Sequence, residues 1–249
     1  MTLDAPGARG RYVDPGGIAD MVRVALVVNA VVSLLVTVFA IQYLFALDGV
    51  SSGGLGAVGD IQSAASRLDV GDGITFWAWF LCGAFFIVWT HRMYSNVRPL
   101  GAAGLRFKTG WAIAGWLVPP FALWRPKQIL NDAWRASDRA LPADARREEW
   151  GGGPTPFLIT AWWVLWVVGA LAERFALNFA DSSVESARTT LAIRVGGGVC
   201  LAAAALLAVW VVGALTRRQR ERARALGLKG GFDASAVALG ASPERPASA

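Results

Sequence analysis

Residues 111–124 read WAIAGWLVPPFALW, an apolar run that is too short to cross a lipid bilayer comfortably. As an α-helix at 1.5 Å per residue, the 14 residues would extend only about 21 Å, against a hydrocarbon core roughly 30 Å thick. Pro119 and Pro120 remove two successive backbone donors and disfavour a helical conformation at Val118. We therefore expect a Pro-broken helical hairpin here in place of a spanning helix.

The distribution of basic residues indicates whether this run crosses the membrane. If the chain enters and returns on the same side, 20 of its 24 Lys and Arg residues fall on that side. If the run crosses, 14 of them fall on the outer side and 10 on the inner side. Cytoplasmic segments of membrane proteins carry an excess of Lys and Arg, so the count predicts a re-entrant hairpin with both termini in the cytoplasm.

Four other apolar runs have about the length that a spanning helix needs. They cover residues 24–47, 74–90, 157–172 and 191–215, within one membrane domain over residues 24–215. The composition agrees, since 55% of the residues are hydrophobic, 17% are charged and the mean hydropathy is +0.44, which disfavours a soluble enzyme. The predicted fold is an all-α integral membrane protein with four transmembrane helices, in the cytoplasmic membrane.

The remaining segments are predicted to lie at the membrane surfaces. Residues 126–137 place apolar side chains at helical spacing and predict an amphipathic helix at the inner surface. In the outer loop, Asp60 is a candidate N-cap for a short helix lying over the membrane. Residues 1–23 form a cytoplasmic segment. Residues 216–249 form a basic, largely disordered tail, whose arginines act as a stop-transfer signal or, alternatively, as a docking site for lipid, nucleic acid or protein.

The segment between Phe86 and Ser137 carries a set of motifs that point to a known family. The first part is a tryptophan followed by an arginine-x-tyrosine-x-asparagine cluster: Trp89, Arg92, Tyr94 and Asn96. The second part is Arg106-Phe107, Gly110-Trp111, Trp116, Pro119, Arg125-Pro126, Gln128 and Trp134-Arg135-Ala136-Ser137. In these features the chain resembles a bacterial membrane family catalogued as domain of unknown function 4328. The resemblance implies a multi-pass membrane protein and supplies no activity.

The chain departs from the pattern of that family at three positions. The family has a basic residue where Ser95 stands, a proline at Thr109 and an asparagine near Ala122. The loss of the asparagine weakens any hypothesis that the break in the hairpin coordinates an ion or a solute.

Polar and charged side chains flank the predicted hairpin and would meet at the inner interface. The candidate site comprises Arg92, Asn96, Arg106, Arg125, Gln128, Asn131, Asp132 and Arg135. One hypothesis is structural: Arg92 and Arg125 extend towards the interface, while Asp132 pairs with a neighbouring arginine. The other is a pocket for an anionic lipid headgroup or a phosphorylated ligand, because forked guanidinium donors match phosphate oxygens.

A polar stripe is predicted within the first spanning helix. Asn29, Ser33 and Thr37 recur every four residues and therefore share one helix face. Polar groups in hydrocarbon need partners, so we interpret the stripe as helix-to-helix hydrogen bonding, with a solute path or polar cavity as the alternative. No Asp, Glu or Lys falls in the middle of a predicted span, which argues against a proton-coupled transporter.

The sequence offers no catalytic or metal-binding motif. His91 is the only histidine, and Cys82 and Cys200 lie inside apolar runs, so no catalytic residue, metal or cofactor is predicted. The net charge of +6 is interpreted as a topological signal, and nucleic acid is not an expected partner. We interpret the protein as a structural or protein-interaction module that contacts anionic membrane lipids and possible membrane-protein partners. The alternative is a small-solute transporter or channel, or an anionic-lipid-binding protein, that acts through the candidate site.

Overall fold

The computed structural model describes residues 11–51, 57–176, 178 and 183–228. Over these residues the chain is all-helical, apart from one isolated bridge between Ala102 and Ala145. The helices are α1 (Gly16–Ser51), α2 (Ala57–Ser95), α3 (Trp111–Leu117), α4 (Arg125–Ala136), α5 (Arg147–Trp150), α6 (Phe157–Ala176) and α7 (Val184–Ala225). The predictions for residues 1–10 and 229–249 lie outside the described residues.

Four of the described helices, α1, α2, α6 and α7, are long and apolar enough to cross a membrane. They include the four apolar runs, and three of them extend well beyond the apolar residues. At the start of α1, Ala19 and Val22 are buried, and near the end of α7 Leu215 and Ala223 are buried. Buried side chains therefore stabilise these helices beyond the residues that hydropathy alone predicts to be helical.

Helix α2 is continuous over 39 residues and includes the residues expected to form a separate short helix. The prediction of a separate surface helix starting at Asp60 is wrong, because Asp60 lies in the first turn of α2. Gly71 acts as a packing position and not as a helix end. A Cβ at Gly71 would lie 2.9 Å from Cγ2 of Val36, so the glycine permits a close approach of α1 and α2.

The four long helices form a bundle in which α1 and α7 are central. Helix α1 packs along both α2 and α7, and α6 packs along α7. In the described part of the chain, no comparably extensive contact joins α2 to α6. The small residues Gly198, Ala202, Ala204 and Ala208 of α7 are all buried. Segments outside the four long helices can therefore occupy the space between α2 and α6.

Helix α3 fills one part of this space with an aromatic side chain. The ring of Trp116 lies 5.5 Å from Phe86 of α2, and 6.0 and 5.8 Å from Trp163 and Trp166 of α6, between ring centroids. The predicted break is confirmed, because α3 ends at Leu117 and only a short 3-10 turn precedes α4.

Helix α4 confirms the predicted amphipathic helix. Its apolar face is buried through Pro126, Ile129, Leu130, Ala133 and Ala136. Asp132 of α4 is also buried, and the charges of Arg106 and Arg147 from the flanking segments act on its carboxylate. The α4 helix is thus covered on more than its apolar face.

Candidate functional site

The first described residues, the end of α2 and the last part of α7 meet at one end of the bundle, called the terminal end below. Asn96 donates its Nδ2 to the carbonyl of Val13 (2.8 Å) and to Oε1 of Gln219 (3.2 Å). Gln219 in turn donates its Nε2 to the carbonyl of Met93 (2.8 Å) and to Oγ of Ser137 (3.3 Å). Because Asn96 and Gln219 are both buried, this network ties the start of the chain, α2, α4 and α7 together in a site that water does not reach.

Arg222 forms a second anchor at the terminal end. Its guanidinium donates to four backbone carbonyls, those of Leu100 (Nε, 3.1 Å), Arg139 (Nη1, 3.3 Å), Leu141 (Nη1) and Pro142 (Nη2, 2.9 Å). Arg222 is buried, and the planar fork of donors suits several acceptors at once. The connections that follow α2 and α4 are therefore both fixed to α7.

Two more arginines of α7 bind carboxylates at this end. Arg218 pairs with Asp138 (2.7 Å) and lies over the ring of Trp134, 4.5 Å from its centroid. Arg220 donates to both carboxylate oxygens of Asp14 (2.8 and 2.9 Å). These hydrogen bonds from Arg220 hold the pKa of Asp14 below its ordinary value. The residues before α1 are thus paired with α7.

Arg125, at the start of α4, is surrounded by aromatic rings. Its Cζ lies 4.4 Å from the ring centroid of Phe107, 5.2 Å from Trp111 and 5.4 Å from Phe121, and its Nη1 donates to Oε1 of Gln128 (3.3 Å). The Nε of Arg125 is buried and has no hydrogen-bond partner among the described residues. The three rings stabilise the cation at the start of α4.

Asp132 is buried in α4 without a direct partner. Its Oδ2 makes no hydrogen bond to the described residues. Burial raises the pKa of Asp132 above its ordinary value, while the charges of Arg106, Arg147 and Arg135 act in the opposite direction. Because the arginines surround the carboxylate without reaching it, desolvation outweighs their attraction.

The polar stripe of α1 lies towards the other end of the bundle, against α7. Ser33 and Thr37 are buried, and Oγ1 of Thr37 donates to the carbonyl of Ser33 (2.8 Å). A Cβ at Gly198 would lie 2.2 Å from Oγ1 of Thr37, so the two helices touch at this point. The stripe therefore packs against α7 at Gly198, while the Thr37 hydroxyl bonds within its own helix and not across to α7.

Three charged side chains converge beyond this stripe. Arg194 of α7 forms a short ion pair with Asp72 of α2, and its Nε lies 3.5 Å from Oε2 of Glu173 of α6. Glu173 also packs beside Gly197, where a Cβ would lie 3.3 Å from its Oε1. The charged side chains thus bridge α2 and α6, which have little other contact at this end.

A cavity of about 630 Å³ lies directly beside the three charges, between α2 and α6, with α1 and α7 behind it. We call it the charged cleft. It is lined by Ser33, Val36, Thr37, Ala40, Asp72, Thr75, Phe76, Trp79, Ala170, Glu173, Arg174, Ala176, Thr190, Arg194, Gly198 and Leu201. Two of its hydroxyls, those of Thr75 and Thr190, are buried without a hydrogen-bond partner in the described part of the chain. The lining is mostly apolar, with the charges gathered at one end.

A comparison with protein families matches residues 57–217 to the domain of unknown function DUF4328. The chain belongs to the DUF4328 family. This confirms the resemblance inferred from residues 86–137. Comparisons with curated proteins and with solved structures gave no match.

The DUF4328 match covers α2 through most of α7 and leaves α1 outside. Asp72, Glu173 and Arg194 fall inside the matched segment, whereas Gln219 and Arg222 fall just beyond it. The terminal end is therefore built partly from residues outside the segment that defines DUF4328.

The predicted site residues of this DUF4328 protein do not form one cluster. Arg125 and Gln128 contact each other, and Arg106 and Arg135 lie near Asp132. Asn96 belongs to the separate network with Gln219. Arg135 donates its Nε to the carbonyl of Gly153 (2.6 Å), and Oδ1 of Asn131 is buried without a partner among the described residues. The backbone carbonyl of Arg92 accepts from the backbone N–H of Asn96 (3.0 Å), whereas the Arg92 side chain makes no hydrogen bond or ion pair to the described residues.

Sequence reasoning missed Gln219 and Arg222 because they stand in a charged stretch that resembles a solvated tail. A signal was available, since Val212, Leu215, Gln219 and Arg222 repeat at helical spacing and continue the buried face of the last apolar run. The charged cleft was missed because Asp72 and Glu173 fall just outside the apolar runs and 101 positions apart in the DUF4328 sequence.

Within the described residues, no group of three His, Cys, Asp or Glu side chains is arranged to hold a metal ion. Cys82 and Cys200 are both free thiols.

Proposed function

We propose that this DUF4328 protein is an integral protein of the cytoplasmic membrane, with both termini and residues 96–156 on the cytoplasmic side. The four long apolar helices support membrane insertion. The hydrogen bonds of Asn96 to Val13 and Gln219 support the shared side, since they join the first described residues, the end of α2 and the end of α7. The excess of basic residues in these segments favours the cytoplasm.

In this arrangement α3 and the following turn are a re-entrant hairpin that enters from the cytoplasmic side. Helix α3 has only 7 residues and is too short to span. The position of Trp116 between α2 and α6 supports its insertion among the spanning helices.

Single cysteines in a Cys82→Ser/Cys200→Ser background test this topology. Ala103→Cys and Ala140→Cys place exposed thiols before α3 and after α4, and Ser66→Cys places one at the other end of α2. A membrane-impermeant maleimide applied to intact cells should label Ser66→Cys, and should label the other two only after the membrane is opened. Labelling of Ala103→Cys and Ala140→Cys from opposite sides would show that α3 crosses the membrane.

The terminal end acts as a rigid structural or protein-interaction platform at the inner surface. One observation supports this proposal: the buried polar side chains of the terminal end make their hydrogen bonds to other groups of the protein. Arg222 alone binds four carbonyls, and Gln219 binds three different groups. Such contacts fix the loops in one conformation and leave the exposed charges around them for anionic headgroups or a membrane-protein partner.

A second candidate function is the binding of an anionic lipid or small anionic solute in the hairpin. One observation favours it: the buried Nε of Arg125 has no acceptor among the described residues. A phosphate oxygen would supply that acceptor.

The two candidates are separated by an Arg92→Ala/Arg125→Ala variant, purified in nanodiscs that contain phosphatidylglycerol. The platform predicts unchanged retention of phosphatidylglycerol by native mass spectrometry, a lower thermal midpoint and retention of any stoichiometric protein partner. The exposed Arg139→Ala is the matched control, because only the backbone oxygen of Arg139 makes a hydrogen bond. Loss of phosphatidylglycerol at an unchanged midpoint would overturn the platform and support the lipid site.

A further inference from the structure

The charged cleft lies at the opposite end of the bundle from the terminal end, and its walls come from all four long helices. The charged lining residues of α2, α6 and α7 lie nearer the end remote from the terminal end than Trp79, Ala170 and Leu201 do. Asp72 precedes Trp79 along α2, and Arg194 precedes Leu201 along α7. A separation of seven residues along a helix corresponds to roughly 10 Å. The cleft therefore has a polar end and an apolar length.

The polar end carries more negative than positive charge at its centre. A single guanidinium, that of Arg194, is shared by the carboxylates of Asp72 and Glu173. The side chain of Arg194 is 19% exposed, whereas those of Asp72 and Glu173 are 42% and 36% exposed. The two acidic side chains are thus more accessible to a second cation than the arginine that they share.

Additional polar groups surround these carboxylates. The unpartnered hydroxyls of Thr75 and Thr190 lie in the lining, and they offer donors and acceptors to a ligand. Arg174 is exposed and also lines the cleft, next to Glu173 in α6. A cation-binding group and an anion-binding group are therefore adjacent at the same end.

The apolar part of the cleft suits a hydrocarbon chain. Phe76 and Trp79 are 58% and 53% exposed on the α2 side, and Leu201 and Ala170 complete the walls. Nearer the terminal end, the ring of Trp116 fills the space between α2 and α6. At the charged cleft, no described side chain fills the corresponding space between these helices. In a membrane this gap faces the acyl chains of lipids, and a lipid can enter it from the side.

We infer that the charged cleft binds a zwitterionic phospholipid with an ammonium headgroup. The ammonium lies against the exposed parts of Asp72 and Glu173 that Arg194 leaves uncovered, the phosphate lies at Arg174, and an acyl chain runs along Phe76, Trp79 and Leu201. Charge complementarity selects this occupant: an anionic lipid brings no cation for the two carboxylates, and a soluble amine leaves the apolar walls unfilled. The inference does not depend on the platform proposed for the terminal end.

The test uses the full-length protein purified in nanodiscs that contain equal amounts of phosphatidylethanolamine and phosphatidylglycerol. Lipids retained after transfer to detergent are counted by native mass spectrometry. Wild type should retain phosphatidylethanolamine in at least fivefold excess, and free phosphoethanolamine should not displace it. Equal retention of the two lipids would overturn the inference, and displacement by phosphoethanolamine would show a headgroup site that needs no chain.

Two kinds of variant locate the bound lipid. Glu173→Gln removes one carboxylate charge and should reduce phosphatidylethanolamine retention at least fivefold, whereas the exposed Glu148→Gln should leave it unchanged. Ala170→Phe fills the apolar length without changing a charge and should also release the lipid. The thermal midpoint of each variant reports folding. If both Glu173→Gln and Ala170→Phe remain folded and keep the lipid, the cleft is not its binding site.

Discussion

Nδ2 of Asn96 donates a hydrogen bond to Oε1 of Gln219 across 3.2 Å, although the two residues are 123 positions apart in the chain. Both side chains are buried, and Gln219 also donates to the carbonyl of Met93. An amide side chain that both donates and accepts can join two segments without a net charge. The contact makes α7 a structural partner of the turn after α2.

Replacing Gln219 by leucine should destabilise the protein by about 1–3 kcal/mol, because Asn96 and Ser137 lose a buried partner while the volume is nearly kept. Thermal unfolding in detergent micelles, followed by tryptophan fluorescence, measures the change. The exposed Gln62→Leu serves as the control and should have almost no effect. Equal midpoints for the two variants would show that the network contributes nothing.

Arg222→Lys should destabilise the terminal end although the charge is kept. A lysine has a single ammonium group and cannot reach the four carbonyls that Arg222 binds, so a loss of about 1.5–3 kcal/mol is expected. Limited trypsinolysis should then cut faster at Arg139 or Arg146, which flank the anchored loop. The exposed Arg224→Lys is the control, and the same cleavage rate in both variants would contradict the assignment.

Gly198→Ala should destabilise the contact of α1 with α7 by about 1–3 kcal/mol, because the new Cβ would lie 2.2 Å from Oγ1 of Thr37. Thr37→Ala in the same chain removes the clashing atom and should restore most of the loss. Gly196→Ala is a matched control, since a Cβ there meets nothing within 4 Å and should stabilise the helix by up to about 1 kcal/mol. Additive losses in the double variant would contradict a direct contact.

Asp132→Asn should stabilise the protein at neutral pH. Burial raises the pKa of Asp132, so the unfolded chain ionises at a lower pH than the folded chain. The folded state is therefore favoured most when pH is below the ordinary Asp pKa of about 3.9, and this advantage is lost as pH rises through the folded pKa. Asp132→Asn buries no charge. The difference between its thermal midpoint and that of wild type should therefore shrink as pH falls from 7 towards 4.

Asp138→Asn is the comparison for that experiment, because Asp138 pairs with Arg218 and is partly exposed. It should lower the midpoint slightly at pH 7, in line with a loss of less than about 1 kcal/mol for an exposed pair. If Asp132→Asn also lowers the midpoint at pH 7, the arginines around Asp132 stabilise its charged form.

Hydropathy and periodicity were enough to predict the four long helices, the break after Leu117 and the buried face of α4. These features depend on local sequence alone. The pairing of Asp72 with Arg194, and of Asn96 with Gln219, depends on which helices are neighbours, and a single sequence does not encode that in its local pattern. Asp132 shows the same limit, since two of the charges that act on its carboxylate, those of Arg106 and Arg147, lie on segments outside its own helix.

The central contact between α1 and α7 also sets the moment at which the bundle is completed during synthesis. Among the described helices the ribosome makes α1 first and α7 last, and Gly198 of α7 lies against Thr37. In a nascent chain that stops before Gly198, the face of α1 that carries Ser33 and Thr37 is not yet covered by this part of α7. A chain that is unfinished at that point therefore exposes a face of α1 that α7 covers in the finished protein.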